Sequence, residues 1–60
     1  MRAERRWALQ APDGCFAHGA PWAVEWRREL EGSMIFGRAA HARHLADRVL
    51  GLPAALVVLL

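Results

Sequence analysis

The sequence predicts one small α+β domain: a short antiparallel sheet packed against a single helix. Three patterns carry this expectation. Apolar and polar residues alternate over residues 5–11, the period of a half-buried strand. Pro12-Asp13-Gly14 supplies turn chemistry directly after it. Farther on, Ala39, Ala42, Leu45, Ala46, Val49 and Leu50 recur at helical spacing, defining one face of a helix over about residues 38–50. A chain of 60 residues holds one domain, 1–60, and no second.

Residues 1–4 read as a frayed terminus. In the first strand Trp7, Leu9 and Ala11 share one face, and Arg6, Ala8 and Gln10 share the other. In the turn, Pro12 presets its backbone angle, Asp13 bonds locally and Gly14 takes a positive φ. Cys15 to His18 is the returning strand of a hairpin, which Gly19-Ala20-Pro21 breaks. Trp22, Val24 and Trp26 alternate with Ala23 and Glu25 as a third extended segment. Arg27 to Leu30 fits a helical turn equally well, so residues 22–33 stay open between strand and helix. Met34-Ile35-Phe36 is an apolar run leading into Gly37. Gly37 falls at the N-cap of the helix, and Arg38, His41, His44, Asp47 and Arg48 take its polar side. Gly51 is placed to end the helix in the left-handed region, and Pro53 forbids its continuation. Residues 55–60 are a continuous apolar run. They read as a final strand, buried on both faces or held at a subunit contact.

A domain this small is marginally stable unless something staples it. A single cysteine, Cys15, excludes an internal disulfide and fits a reducing cytoplasm. A hydrophobic content of 55% supports a dense core or a partner chain and argues against disorder. All eight basic residues are arginine, while lysine, asparagine, threonine and tyrosine are absent. GC-rich codon usage accounts for this set better than selection for bidentate arginine contacts. The net charge of +2 admits nucleic-acid contact without being the footprint of a dedicated binder. Arg2, Arg5 and Arg6 look like the start of a secretory signal, but the apolar stretch behind them is too short. The apolar tail from Val49 is shorter than the ~20 residues a membrane helix needs, and Gly51 and Pro53 interrupt it. The expected location is the cytoplasm, with no membrane partner.

The order Trp7-x-Leu9, Asp13-Gly14-x-Phe16, Trp26, Leu30, Phe36-x-x-x-Ala40, Leu45-Ala46-x-Arg48 and Gly51 resembles a loose class of small phage and mobile-element proteins. These share a strand, an aspartate-glycine turn, a second strand, a conspicuous tryptophan, an alanine-rich helix and a final strand. Gly37 departs from the serine, threonine or aspartate that usually opens such helices. The class includes anti-CRISPR proteins, which bind a Cas protein and block it without catalysis. The resemblance implies that such a role is admissible and transfers no site residue.

Three constellations could carry chemistry. Cys15-x-x-His18 followed by His41-x-x-His44 has the paired form of a zinc site. Strand geometry resists it, because positions 15 and 18 point to opposite faces, and His41 and His44 lie away from the helix's apolar face. A Cys15–His18 dyad is a conceivable nucleophile, but so small a fold has little room for a substrate cavity. Glu25, Glu29 and Glu31 alternate with Arg27 and Arg28, as on a salt-bridged solvated face. No glycine-rich phosphate loop exists. No enzyme activity, cofactor or metal is therefore expected.

Two candidate surfaces remain. Trp22, Glu25, Trp26, Arg27 and Arg28 combine the residue types enriched at binding hot spots and form the candidate protein-partner site. Arg38, His41, Arg43, His44 and Arg48 make a basic stripe on the helix, the candidate nucleic-acid site. The expected function is a non-enzymatic inhibitor that binds a larger machine, most concretely an anti-CRISPR protein on a Cas subunit. The alternatives are a small basic nucleic-acid-binding module and a homodimer joined through the C-terminal strand, since a bare apolar edge must be covered or paired.

Overall fold

The computed structural model describes residues 5–60, so the frayed terminus expected for residues 1–4 lies outside the described residues. The fold is α+β, as expected. Four strands, β1 (Trp7–Gln10), β2 (Phe16–Ala20), β3 (Ala23–Arg27) and β4 (Leu56–Leu59), form one antiparallel sheet in the order β3-β2-β1-β4. The helix α1 (Ala39–His44) runs without a break into a π-helical turn, Leu45–Val49, and packs on one sheet face. The final strand is shorter than the 55–60 read from sequence.

The β1–β2 connection is a three-residue hairpin loop over Pro12-Asp13-Gly14. Gly14 N–H donates to the Ala11 carbonyl at 2.9 Å, and Ala11 N–H donates to the Cys15 carbonyl at 2.8 Å. Gly14 has φ 93, while Asp13 keeps a negative φ and accepts from Cys15 N–H at 3.0 Å through Oδ1. This is a type I turn followed by a left-handed glycine, a common solution for loops of this length.

The β2–β3 hairpin corrects one expectation. Gly19-Ala20-Pro21 does not break the strand. The pairing runs from Phe16↔Arg27 to Ala20↔Ala23, so the loop is Pro21-Trp22 alone. Residues 23–27 are thereby strand, and no helical turn forms at Arg27–Leu30. Pro21 cannot take the positive φ of the turns that usually close two-residue hairpins. The positive φ sits instead at Gly19, at 85, whose backbone approaches Ala23 so closely that a Cβ would lie 2.6 Å from the Ala23 carbonyl oxygen.

β1 and β2 form a ladder pair only where Gln10 faces Phe16, then splay apart. The run Met34-Ile35-Phe36, expected only to lead into the helix, enters the opening. Met34 N–H donates to the Ala17 carbonyl at 2.8 Å, and Phe36 exchanges both backbone bonds with Trp7, at 2.8 and 2.9 Å. The wedge thus pairs backbone groups that the splay would otherwise leave unmet.

The core is small. Its buried members are Leu9, Ala17, Ala42, Leu45, Ala46 and Ala55, with Val24, Trp26, Met34, Phe36, Leu50 and Val57 packed around them. Leu9 is the largest side chain that is fully buried. Trp7 and Phe16 are only half-buried. The alanine stripe draws the helix close to the sheet and leaves little apolar volume to fill.

The helix departs from its expected face at one point. In a regular α-helix Val49 follows Leu45 by four residues and shares its face. Here Leu50 N–H donates to the Leu45 carbonyl at 2.9 Å, a five-residue spacing that inserts one residue into the turn. Leu50 therefore takes the inward position, and Val49 is 54% exposed. Gly51, at φ 63, ends the helix as expected, and Leu52 N–H closes back on the Ala46 carbonyl at 2.7 Å. At the other end the N-cap is Arg38, not Gly37, and no side chain caps it.

Candidate functional site

The protein-partner set is split by the sheet. Trp26 pairs with Ala17, and both belong to the helix-covered side. Glu25 and Arg27, one position to either side, point to the opposite face. There Arg27 Nε and Nη2 donate to Glu25 Oε2 at 3.1 and 2.5 Å. Arg28 is exposed just past the strand. Trp22 is not on the strand at all. It occupies the hairpin tip and is 87% exposed, the most open large apolar side chain among the described residues. Trp26 is thus half-buried against the core, and Trp22 is the apolar member of the set left on the surface.

The basic stripe is also divided. Arg38, His41, His44 and Arg48 are exposed along the helix. Arg43 is not a free cation. Its Nε and Nη2 meet Asp47 Oδ1 at 3.1 and 2.9 Å, one turn along the helix. Its Nη1 donates to the Ala55 carbonyl at 2.8 Å and its Nη2 to the Pro53 carbonyl at 3.1 Å. The planar fork of the guanidinium ties the helix to the connection that enters β4. The Arg43–Asp47 spacing is visible in the sequence, but the two carbonyls come from a loop the sequence does not place.

The four zinc candidates do not converge. His18 is buried beneath residues 29–32, with Nε2 2.6 Å from the Glu29 carbonyl oxygen. It lies on the sheet face opposite Ala17 and the helix, whereas His41 and His44 are exposed on the helix. Among the described residues no three His, Cys, Asp or Glu side chains are grouped to hold a metal. Cys15 is a free, half-buried thiol. Burial pushes its pKa up, and the neighbouring Asp13 carboxylate pushes it further. An activated nucleophile needs the opposite shift. His18 Nε2 is meanwhile committed to the Glu29 carbonyl, and among the described residues no hydrogen bond joins the ring to Cys15, so the dyad is not assembled.

The last surface is the outer edge of β4. Leu56, Leu59 and Leu60 are 58%, 53% and 47% exposed, and β4 ends the sheet with no strand beyond it among the described residues. Val49 and Leu52, on the segment leading to β4, are also open. No helix among the described residues is long and apolar enough to cross a membrane. Comparison with protein-family models, curated proteins and solved structures finds no match.

Proposed function

We propose that this protein is a non-catalytic binding module that engages a larger protein through the tip of its β2–β3 hairpin. The observation that carries this is Trp22, an aromatic ring 87% exposed on a two-residue loop. Exposing a tryptophan forgoes burial worth about 1.5–3 kcal/mol, in a domain whose own core is built largely of alanine. A fold that needs apolar volume yet leaves this ring outside is using it for something other than its own stability. Tryptophan is among the residue types most enriched at binding hot spots, and the Glu25–Arg27 pair lies farther along the adjoining strand, with Arg28 just past its end.

The most concrete form of this reading is the anti-CRISPR role that the sequence resemblance admits, with a Cas subunit as the partner. It is tested by expressing the chain in a host whose CRISPR system targets a phage and counting plaques. Restored plaques, lost again with Trp22→Ala, support it. Absence of rescue by the folded wild-type chain removes the Cas partner. A Trp22→Ala variant that inhibits as well as wild type removes the hairpin tip as the contact. Because the ring is exposed, the substitution leaves the melting temperature nearly unchanged, which separates loss of contact from loss of fold.

A further inference from the structure

We infer that the free edge of β4 is a self-complementary docking site for a second copy of this chain, joining two sheets into one through an antiparallel β4–β4 contact centred on Val58. The inference rests on which backbone groups face outward. β1 and β4 pair as Trp7↔Leu59, Ala8↔Val58, Leu9↔Val57 and Gln10↔Leu56. Leu60 N–H donates to the Arg6 carbonyl at 2.8 Å, so that pair sits at a bonded position of the ladder. Antiparallel ladders alternate between bonded and non-bonded pairs. Val58 and Leu56 therefore turn their N–H and C=O inward to β1, and Val57 and Leu59 turn theirs outward. The two-sided bonding of Trp7 to Phe36, on the side away from β4, agrees with this phase.

The next outward position, Ala55, is already satisfied. Its N–H reaches the Leu52 carbonyl at 3.0 Å, and its own carbonyl accepts from Arg43 at 2.8 Å. The open part of the edge is thus Val57 and Leu59, two residues spaced symmetrically about Val58. A copy related by a two-fold axis through Val58 sets Val57 against Leu59 of the copy, and Leu59 against its Val57. Four backbone bonds then form, and none of these outward groups is left over. The register centred one residue earlier, on Val57, would set Leu59 against Ala55, whose N–H and carbonyl are already taken.

The side chains agree with the backbone. From Val49 to Leu60 there is no charged residue, so two copies bring no like charges together. Edge strands that avoid pairing carry a charge, a proline or a bulge, and Leu56–Leu59 carries none of these. Leu56 meets Leu60 of the copy on one face, and Val57 meets Leu59 on the other. Among the exposed large apolar side chains of the described residues, Leu56, Leu59 and Leu60 lie on or beside this edge, and Val49 and Leu52 lie on the segment leading to it.

The test is sedimentation of the full chain over a wide concentration range, joined to site-directed cross-linking. The wild type sediments at twice the 6.7 kDa of one chain. Leu59→Pro removes only an outward N–H, keeps the inward ladder and sediments as a monomer. Leu59→Lys, which keeps the backbone donor, does the same by adding charge to the edge. In a Cys15→Ser background, Val58→Cys places two sulfurs on a non-bonded pair with Cα atoms about 4.5 Å apart, and mild oxidation links the chains. Leu56→Cys in the same background stays unlinked. A folded wild type that remains monomeric up to about 0.5 mM, well above the range of specific dimers, overturns the inference. So does a dimer that survives both Leu59 variants, or one that cross-links at position 56 in preference to 58.

Discussion

Substituting Arg43 destabilises the fold, although its place in a basic stripe suggests a surface role. The guanidinium makes three distinct connections, and their magnitudes differ. The charge-assisted bond to the part-buried Ala55 carbonyl is worth about 1.5 kcal/mol. The bond to the exposed Pro53 carbonyl is worth about 0.5 kcal/mol. The helical pair with Asp47, roughly two-fifths exposed on both sides, adds about 0.3 kcal/mol. Arg43→Gln therefore costs about 2 kcal/mol, or about 8–16 °C in Tm for a domain of this length. Arg43→Lys recovers at most one of the two carbonyl bonds, because an ammonium cannot bridge both in a plane. Thermal unfolding followed by circular dichroism, at one fixed protein concentration, reads the effect. Arg48→Gln, a change of the same chemistry at an exposed position, is the control and shifts Tm by no more than about 3 °C. If Arg43→Gln melts with Arg48→Gln, the clamp contributes nothing, and Arg43 returns to the set of surface cations. The same comparison bears on the nucleic-acid reading: an Arg43 variant that lowers nucleic-acid affinity has first to be shown folded.

Three further outcomes follow from the backbone and the core. Alanine at Gly37, Gly14 and Gly19 gives rising cost. Gly37 is unstrained and open, Gly14 pays only for φ 93 at about 1–2 kcal/mol, and Gly19 adds to similar strain a Cβ 2.6 Å from a carbonyl oxygen; urea titration of the three variants checks the order. Val49→Ala changes stability by less than about 0.5 kcal/mol, whereas Leu50→Ala costs about 1–2 kcal/mol, the reverse of the order a regular α-helix gives. The Asp13 carboxyl is held below its ordinary value of 3.8 first by the Cys15 N–H bond. A lowered folded pKa stabilises fully above the unfolded value and is lost as pH falls through the folded one. The stability advantage of the wild type over Asp13→Asn accordingly shrinks on acidification through the carboxylate range, as read by urea unfolding at neutral and acid pH.

What the sequence makes legible here is local. The Pro12-Asp13-Gly14 turn, the left-handed Gly51 and the inward Ala42, Leu45 and Ala46 depend on neighbours within a turn or two, and periodicity reports them directly. What it hides depends on distant partners. Nothing in Met34-Ile35-Phe36 says that β1 and β2 splay and admit this run between them. Nothing in the spacing of Leu45, Val49 and Leu50 announces a π turn, because the pattern fits four-residue and five-residue steps equally well. Gly19-Ala20-Pro21 reads as a breaker from composition, yet a positive φ inside a strand lets the hairpin run on to Pro21-Trp22. The candidate sites fared in the same way. Trp22 reads as part of a strand face and residues 55–60 as buried or paired, so the exposed hairpin tip and the open β4 leucines emerged only in the packed fold, as did the packing of Trp26 against the core and of Arg43 into a clamp.

The division between core and surface has one physical source. Alanine at positions 17, 42, 46 and 55 brings helix and sheet close together, which fixes the helix position but buries little area per residue. The larger apolar side chains are then pushed to the margins: Trp22 to the hairpin tip and the leucines of β4 to the free edge. These margins lie apart, since the hairpin tip joins β2 to the edge strand β3 and β4 is the opposite end of the sheet. A chain that pairs through β4 therefore carries its two hairpin tips at the far ends of an eight-stranded sheet. Pairing adds stability by mass action without covering Trp22. It also presents the tryptophan twice, so a partner with two sites gains avidity from a contact that is modest in each copy. Stability through one edge and recognition at the other are compatible because the sheet separates them.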